Sequence, residues 1–265
     1  SSAASDVYKR QVDDRARGFL LSRSERAPIA LISYACHPVC RGRSTGVSAD
    51  YPGRVCRMAE EKGVLPVYLN GLCGDIDPLT REDGARIDAF AAAILSALTD
   101  EMELPMRVFG GEVADEIRLL PVSREDIESA AERAASRPDA IPGADRVARA
   151  WEREMLSKFD DLPSREPISV HYLVLGGVPV AALPFEGFCA IGKKIRDVLG
   201  DTRALTLGCA DELLGYLPTR DDIARGAYAA LESTFLYHRL PVLPGEAERL
   251  GRELGARLKE EQAHG

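Results

Sequence analysis

The 265-residue sequence has no uninterrupted apolar run of the roughly 18 residues a membrane-spanning helix needs. Its greasiest stretch, 170–185, is broken by Gly176, Gly177, Pro179 and Pro184, so no transmembrane segment is expected. Clustered basic residues are also lacking. With 34 basic against 42 acidic side chains, a net charge of −8 and a pI of 5.2, nucleic acid is not the expected partner. The six cysteines (Cys36, Cys40, Cys56, Cys73, Cys189, Cys209) are too few for a disulfide scaffold of this size, no Cys-x-x-Cys pair occurs, and most sit inside apolar runs. Reduced, buried thiols and a cytoplasmic location are the corresponding expectations. No His-Glu-x-x-His, phosphate-binding loop, Gly-x-Ser-x-Gly or Gly-x-Gly-x-x-Gly in convincing context occurs, so none of these motifs names a function. What is present is an ordinary globular mixture, 45% hydrophobic and 29% charged, which excludes wholesale disorder and fibrous classes.

Residues 1–11 (SSAASDVYKRQ) show neither periodicity nor capping logic and include no initiating Met. They read as a non-native leader of the kind a translated sequencing adapter gives, with 12–265 as an N-terminally truncated piece of a longer domain. Beyond them, short apolar runs at 29–35, 65–69, 106–122, 168–175, 178–183 and 204–209 predict strands, the fourth and fifth joined as a hairpin at Gly176-Gly177. Helices are predicted over 48–62, 84–98, 123–136, 144–158, 186–199, 221–234 and 246–262. The region near 123–160, rich in Arg, Glu and Ala, reads as a solvated helical insertion. Strands and helices alternate, so the predicted class is α/β, with mixed sheets flanked by helices.

Loops after strand ends are where α/β folds place ligands. His37 closes the first strand, Glu186 follows the hairpin, and Tyr216 lies in the 215–219 loop. Two acidic loops, 48–53 with Asp50 and 70–78 with Asn70, Asp75 and Asp77, join them. Each also has a structural reading: a hydrogen-bonded histidine, a helix-dipole glutamate, a packed loop tyrosine, and turn-forming aspartates. A metal held by Cys36, His37 and Cys40 is disfavoured, because adjacent strand residues point to opposite faces. His171, His238 and His264 read as non-ligands, on a strand, a surface helix and the tail respectively.

Taken in order, Tyr34-Ala35-Cys36-His37-Pro38, Ser48-Ala49-Asp50 with Gly53, Gly74-Asp75-Ile76-Asp77-Pro78, Leu183-Pro184-Phe185-Glu186 and Gly215-Tyr216-Leu217-Pro218-Thr219 resemble motifs of the neutral/alkaline ceramidase family. These are zinc-dependent amidases that cleave the fatty-acyl amide of ceramide, and the resemblance covers roughly residues 12–235. It implies zinc bound by His37, Glu186 and Tyr216, a small-molecule amide or lipid-like substrate, and Asp50 and Asn70 binding substrate or supporting the site. Two departures shape the expectation. The family's His-x-His motif has no counterpart before His37, which implies an incomplete metal site, weak zinc binding and no activity in this piece. Asp77 stands where the family has a serine, so Asp77 or Asp75 would act as base or orienter for an attacking water. The sequence holds no counterpart of the family's C-terminal β-sandwich, which makes ceramide itself a weaker expectation than the fold. The expected function is a zinc-dependent, ceramidase-like hydrolase of an amide bond. The rival is a non-catalytic binding or scaffold protein of the same architecture.

Overall fold

Three strands near the N-terminus form the first sheet. Strand β1 (Arg17–Arg23) runs antiparallel to β2 (Arg26–Tyr34), which runs parallel to β3 (Leu65–Asn70). The computed structural model describes residues 12–264 apart from 43, 80–83, 99–101, 137–142, 227 and 232, so the expectation for 1–11 lies outside the described residues. Strand β1 is an addition to the predicted elements; its arginines, glycine and serine dilute the alternation in RGFLLSR. The β2–β3 crossover carries helix α1 (Asp50–Glu60), and α2 (Gly84–Ser96) follows β3. Ile32 and Cys36, Tyr51 and Val55 of α1, and Ile87, Ala91 and Ile94 of α2 make one small core.

The second sheet has strand order β4 (Val108–Arg118), β5 (Arg165–Leu175), β6 (Val178–Ala182), β8 (Leu205–Leu207). The predicted β5–β6 hairpin is present. Gly176 and Gly177 have φ of 59° and 81°, the paired left-handed conformation of a tight two-residue turn, which glycine adopts without strain. Helices α3 (Arg124–Ala135) and α4 (Ala144–Ser157) occupy the middle region. Ser123 and Asp126 cap α3 reciprocally, as the Ser-x-x-Asp spacing predicts. These helices are not solvated all round. Ile127, Ala131, Ala148, Trp151 and Met155 lie in the main core, and Trp151 Nε1 donates to Arg239 O at 2.9 Å. Their buried stripe is built largely from alanines, so high Arg and Glu content hid it from a composition reading.

Helix α5 begins later than expected, at Cys189–Leu199. The residues before it pair instead: β7 (Glu186–Gly187) lies parallel to β9 (Tyr216–Leu217). The predicted 221–234 helix divides into α6 (Arg220–Ala224), α7 (Tyr228–Leu231) and a 3-10 turn, Ser233–Tyr237. Helix α8 (Glu246–His264) packs beside α5. The two larger sheets meet where Gly71 bridges Leu207 and Gly208 N–H donates to Asn70 O at 3.1 Å. Among the described residues no helix is long and apolar enough to cross a membrane. All six cysteines are free thiols; four are buried, but Cys56 is only half-buried and Cys209, in the loop leaving β8, is exposed.

The segment after β2 is held by α1. Asp50 Oδ1 accepts from Cys40 N–H (3.1 Å) and Tyr51 N–H (2.7 Å), and Oδ2 accepts from Arg41 N–H (2.9 Å). Burial works against its charge, but these donors outweigh it and hold the carboxyl below its ordinary range. A depressed native pKa contributes stability present above the unfolded pKa and lost as pH falls through the native one. Asp50→Asn is therefore expected to cost about 1–3 kcal/mol at pH 7 in urea denaturation. The gap to the parent should close as pH falls below about 4; a pH-independent gap contradicts this account.

Candidate active site

The first sheet delivers His37. Gly71 N–H donates to Tyr34 O (3.0 Å) and His37 N–H donates to Ile76 O (2.9 Å), so residues 34–37 run alongside loop 71–76. A Cβ on Gly71 would meet Ala35 Cα at 2.9 Å, so this approach requires glycine. Tyr51 OH donates to Cys36 O at 2.7 Å and steadies the neighbouring peptide.

The β7–β9 pair delivers the other two groups. Glu186 and Tyr216 are register partners, so their side chains leave on the same side. Glu186 Oε2 lies 3.4 Å from His37 Nε2. The Tyr216 ring stands edge-on to His37, centroids 6.1 Å apart, and its phenol lies close enough to the Glu186 carboxylate for that charge to raise its pKa, after burial. An imidazole, a carboxylate and a phenol from chain positions 37, 186 and 216 thus converge.

Two residues that the functional reading did not single out complete the cluster. Tyr237 OH donates to Glu186 Oε1 at 2.6 Å, and Cys73 Sγ lies 3.6 Å from His37 Nδ1. Cys73 already stood within the acidic-loop motif. Tyr237 had no local signal, because it lies between the predicted 221–234 and 246–262 helices and reaches Glu186 only through the tertiary fold. Asn70 Nδ2 donates to Cys73 Sγ at 3.1 Å, while Asn70 Oδ1 is buried without a hydrogen-bond partner among the described residues. Burial pushes the Cys73 thiol up to about 12. Burial, then the Glu186 charge, pushes the Tyr216 phenol far above its usual 10. Near neutral pH these groups stay protonated around the carboxylate.

The remaining sequence candidates are placed differently. Asp75 Oδ1 accepts Cys189 N–H at 2.8 Å, so it caps α5. Burial raises its pKa although that hydrogen bond works the other way. Asp77 is exposed on the same loop. Asp50 binds backbone on the flank of His37 rather than joining the His37–Glu186 pair. Cys36 and Cys40 enter the small core while His37 turns towards Glu186. Among the described residues, no group of three or more His, Cys, Asp or Glu side chains is arranged to hold a metal. His171 pairs with Asp211 (3.0 Å) and His238 with Glu154 (2.8 Å), both away from the cluster, and the His264 side chain lies outside those described.

Neither a family model nor a curated protein matches the sequence. Solved structures do. The neutral ceramidase from Pseudomonas aeruginosa superposes with a TM-score of 0.53 at 14% identity, over 88% of this chain and 44% of that one. A ceramidase complexed with C2 gives 0.53 and 14%, over 88% of this chain and 46% of its own. The protein is thus a mixed α/β domain with a distant ceramidase-like fold. It spans less than half the length of the ceramidase chains it matches.

The Glu186 strand tolerates nothing larger than hydrogen at position 74. Gly74 N–H donates to Gly187 O at 2.9 Å, and a Cβ there would lie 2.2 Å from Glu186 O. Gly74→Ala should cost about 1–3 kcal/mol in urea denaturation. Gly84→Ala, with open space around it in α2, should be neutral or stabilising. Equal midpoints for Gly74→Ala and the parent would contradict the close approach.

Proposed function

We propose that this chain carries part of the catalytic centre of a zinc-dependent, ceramidase-like amide hydrolase, acting on a small-molecule amide or lipid-like substrate. The observation that carries the reading is that His37, Glu186 and Tyr216, distant in sequence, are brought into one cluster. The spacing of the first two supports it further. A charge-assisted hydrogen bond is about 2.7–2.9 Å long. A tetrahedral zinc with bonds of about 2.0–2.2 Å separates neighbouring ligand atoms by roughly 3.3–3.6 Å. His37 Nε2 and Glu186 Oε2 are 3.4 Å apart, the separation of two ligands rather than of donor and acceptor.

In this reading His37 offers a neutral imidazole nitrogen, Glu186 an anionic oxygen, and Tyr216 a phenol oxygen whose proton a dication would displace. The bound ion would supply Lewis acidity for an amide carbonyl. Asp75 is engaged at the α5 N-terminus; Asp77, exposed on the same loop and standing at the position of the family's serine, is assigned the role of base or orienter for water.

A second reading, a binding protein without hydrolytic activity, draws on Asp77 replacing the family's serine and on the absence, among the described residues, of three His, Cys, Asp or Glu side chains arranged to hold a metal. Calorimetric zinc titration tests the metal reading. One ion per chain is expected, with His37→Ala and Glu186→Ala each weakening binding by more than about 100-fold, beyond what loss of an outer partner costs. Cys36→Ala and Cys40→Ala should leave uptake unchanged. Unaltered affinity in His37→Ala refutes the assignment. In a longer chain with an upstream His-x-His pair, the His37 and Glu186 variants should lose fatty-acid release from an N-acyl amine. Zinc binding with no such release in that parent favours the second reading.

A further inference from the structure

Glu186 has two carboxylate oxygens, and the fold treats them differently. Oε1 takes the Tyr237 hydroxyl at 2.6 Å, whereas Oε2 faces His37 Nε2. Tyr237 comes from the last residue of the 3-10 turn, 51 positions from Glu186, and its own placement is tightly fixed. Gly215, at φ 86°, lets the ring lie against the backbone entering β9: a Cβ there would sit 2.8 Å from Tyr237 Cδ2. The ring also stands edge-on to Tyr216, centroids 6.1 Å apart and planes at 83°. Two residues on, Arg239 ties the turn to its surroundings. Its guanidinium donates to Leu214 O and to Glu166, and its carbonyl accepts the Trp151 indole. The phenol is therefore delivered to Oε1 by a braced scaffold, which is how outer hydrogen bonds fix the direction of a ligating carboxylate.

We infer that Tyr237 is a positioning residue for the metal-binding carboxylate: by occupying Oε1 it leaves Oε2 as the single oxygen Glu186 offers beside His37. This rests on the metal reading above and extends it to a residue that none of the sequence motifs contains. Removing the hydroxyl frees the carboxylate to rotate and to present both oxygens, so the ion loses affinity and its ligand geometry changes while the ring packing stays.

The test uses this chain, with zinc titrated calorimetrically and cobalt(II) as a spectroscopic probe. Tyr237→Phe should weaken zinc binding about 10- to 100-fold. It should also alter the visible cobalt(II) bands, which report ligand geometry, and leave the thermal midpoint and circular dichroism near those of the parent. Gly215→Ala keeps the phenol but crowds its ring, and should change affinity and spectrum in the same direction. That second variant serves if Tyr237→Phe folds poorly. Parent-like affinity together with an unchanged cobalt spectrum in both variants overturns the inference while leaving the metal reading intact. A parent chain that takes up neither ion overturns the metal reading, and the inference with it.

Discussion

The site depends on a pairing only two residues long. Glu186 and Gly187 lie beside Tyr216 and Leu217, closed by Glu186 N–H to Gly215 O (2.9 Å) and Phe188 N–H to Leu217 O (3.4 Å). A pair this short has little stability of its own. It survives because Gly74 presses its backbone against the other side, donating to Gly187 O, and because Asp75 caps the helix that starts two residues later. The acidic loop, read from sequence as a source of catalytic carboxylates, therefore also acts as the clamp that sets where Glu186 sits. One loop ties the first sheet, through His37 N–H on Ile76 O, to the second set of elements.

Two carboxylates in this molecule show how differently a half-hidden charge can be met. Glu246 has a fully buried side chain and is matched by Arg118 at 2.6 Å and Arg249 at 3.1 Å, a structural ion pair with its charge balanced inside the chain. No lysine or arginine pairs with Glu186 among the described residues; its neighbours are an imidazole and two phenols. Burial and the carboxylate itself hold both phenols protonated, so the cluster has hydrogen-bond donors but no fixed cation. A carboxylate kept without a permanent counter-ion, and facing a histidine at 3.4 Å, is the feature on which the proposed cation site rests.

The architecture was largely legible because its strands are short apolar runs and its helices have clean 3–4 spacing. The Gly176-Gly177 turn and the Ser123–Asp126 capping box needed no tertiary information. The exceptions have physical causes. Strand β1 is diluted by polar residues, and the apolar stripes of α3 and α4 are largely alanine. Glu186 was assigned to a helix because Pro184 and the following apolar spacing resemble an N-terminus, while a two-residue strand leaves no periodic signal. At the site, the order of motifs pointed to His37, Glu186 and Tyr216, and the fold brings these three together. It could not point to Tyr237, whose partner is set by the path of the chain rather than by neighbours in sequence, nor show that Asp75 is occupied as a helix cap.

The central claim is that nitrogen and oxygen from His37, Glu186 and Tyr216, and no thiolate, make the cation site, although Cys73 lies 3.6 Å from the same imidazole. X-ray absorption at the zinc edge of the loaded chain addresses this directly. The account predicts a first shell of nitrogen and oxygen only, at about 2.0–2.2 Å. A sulfur shell near about 2.3 Å would contradict it and move the site onto the cysteines.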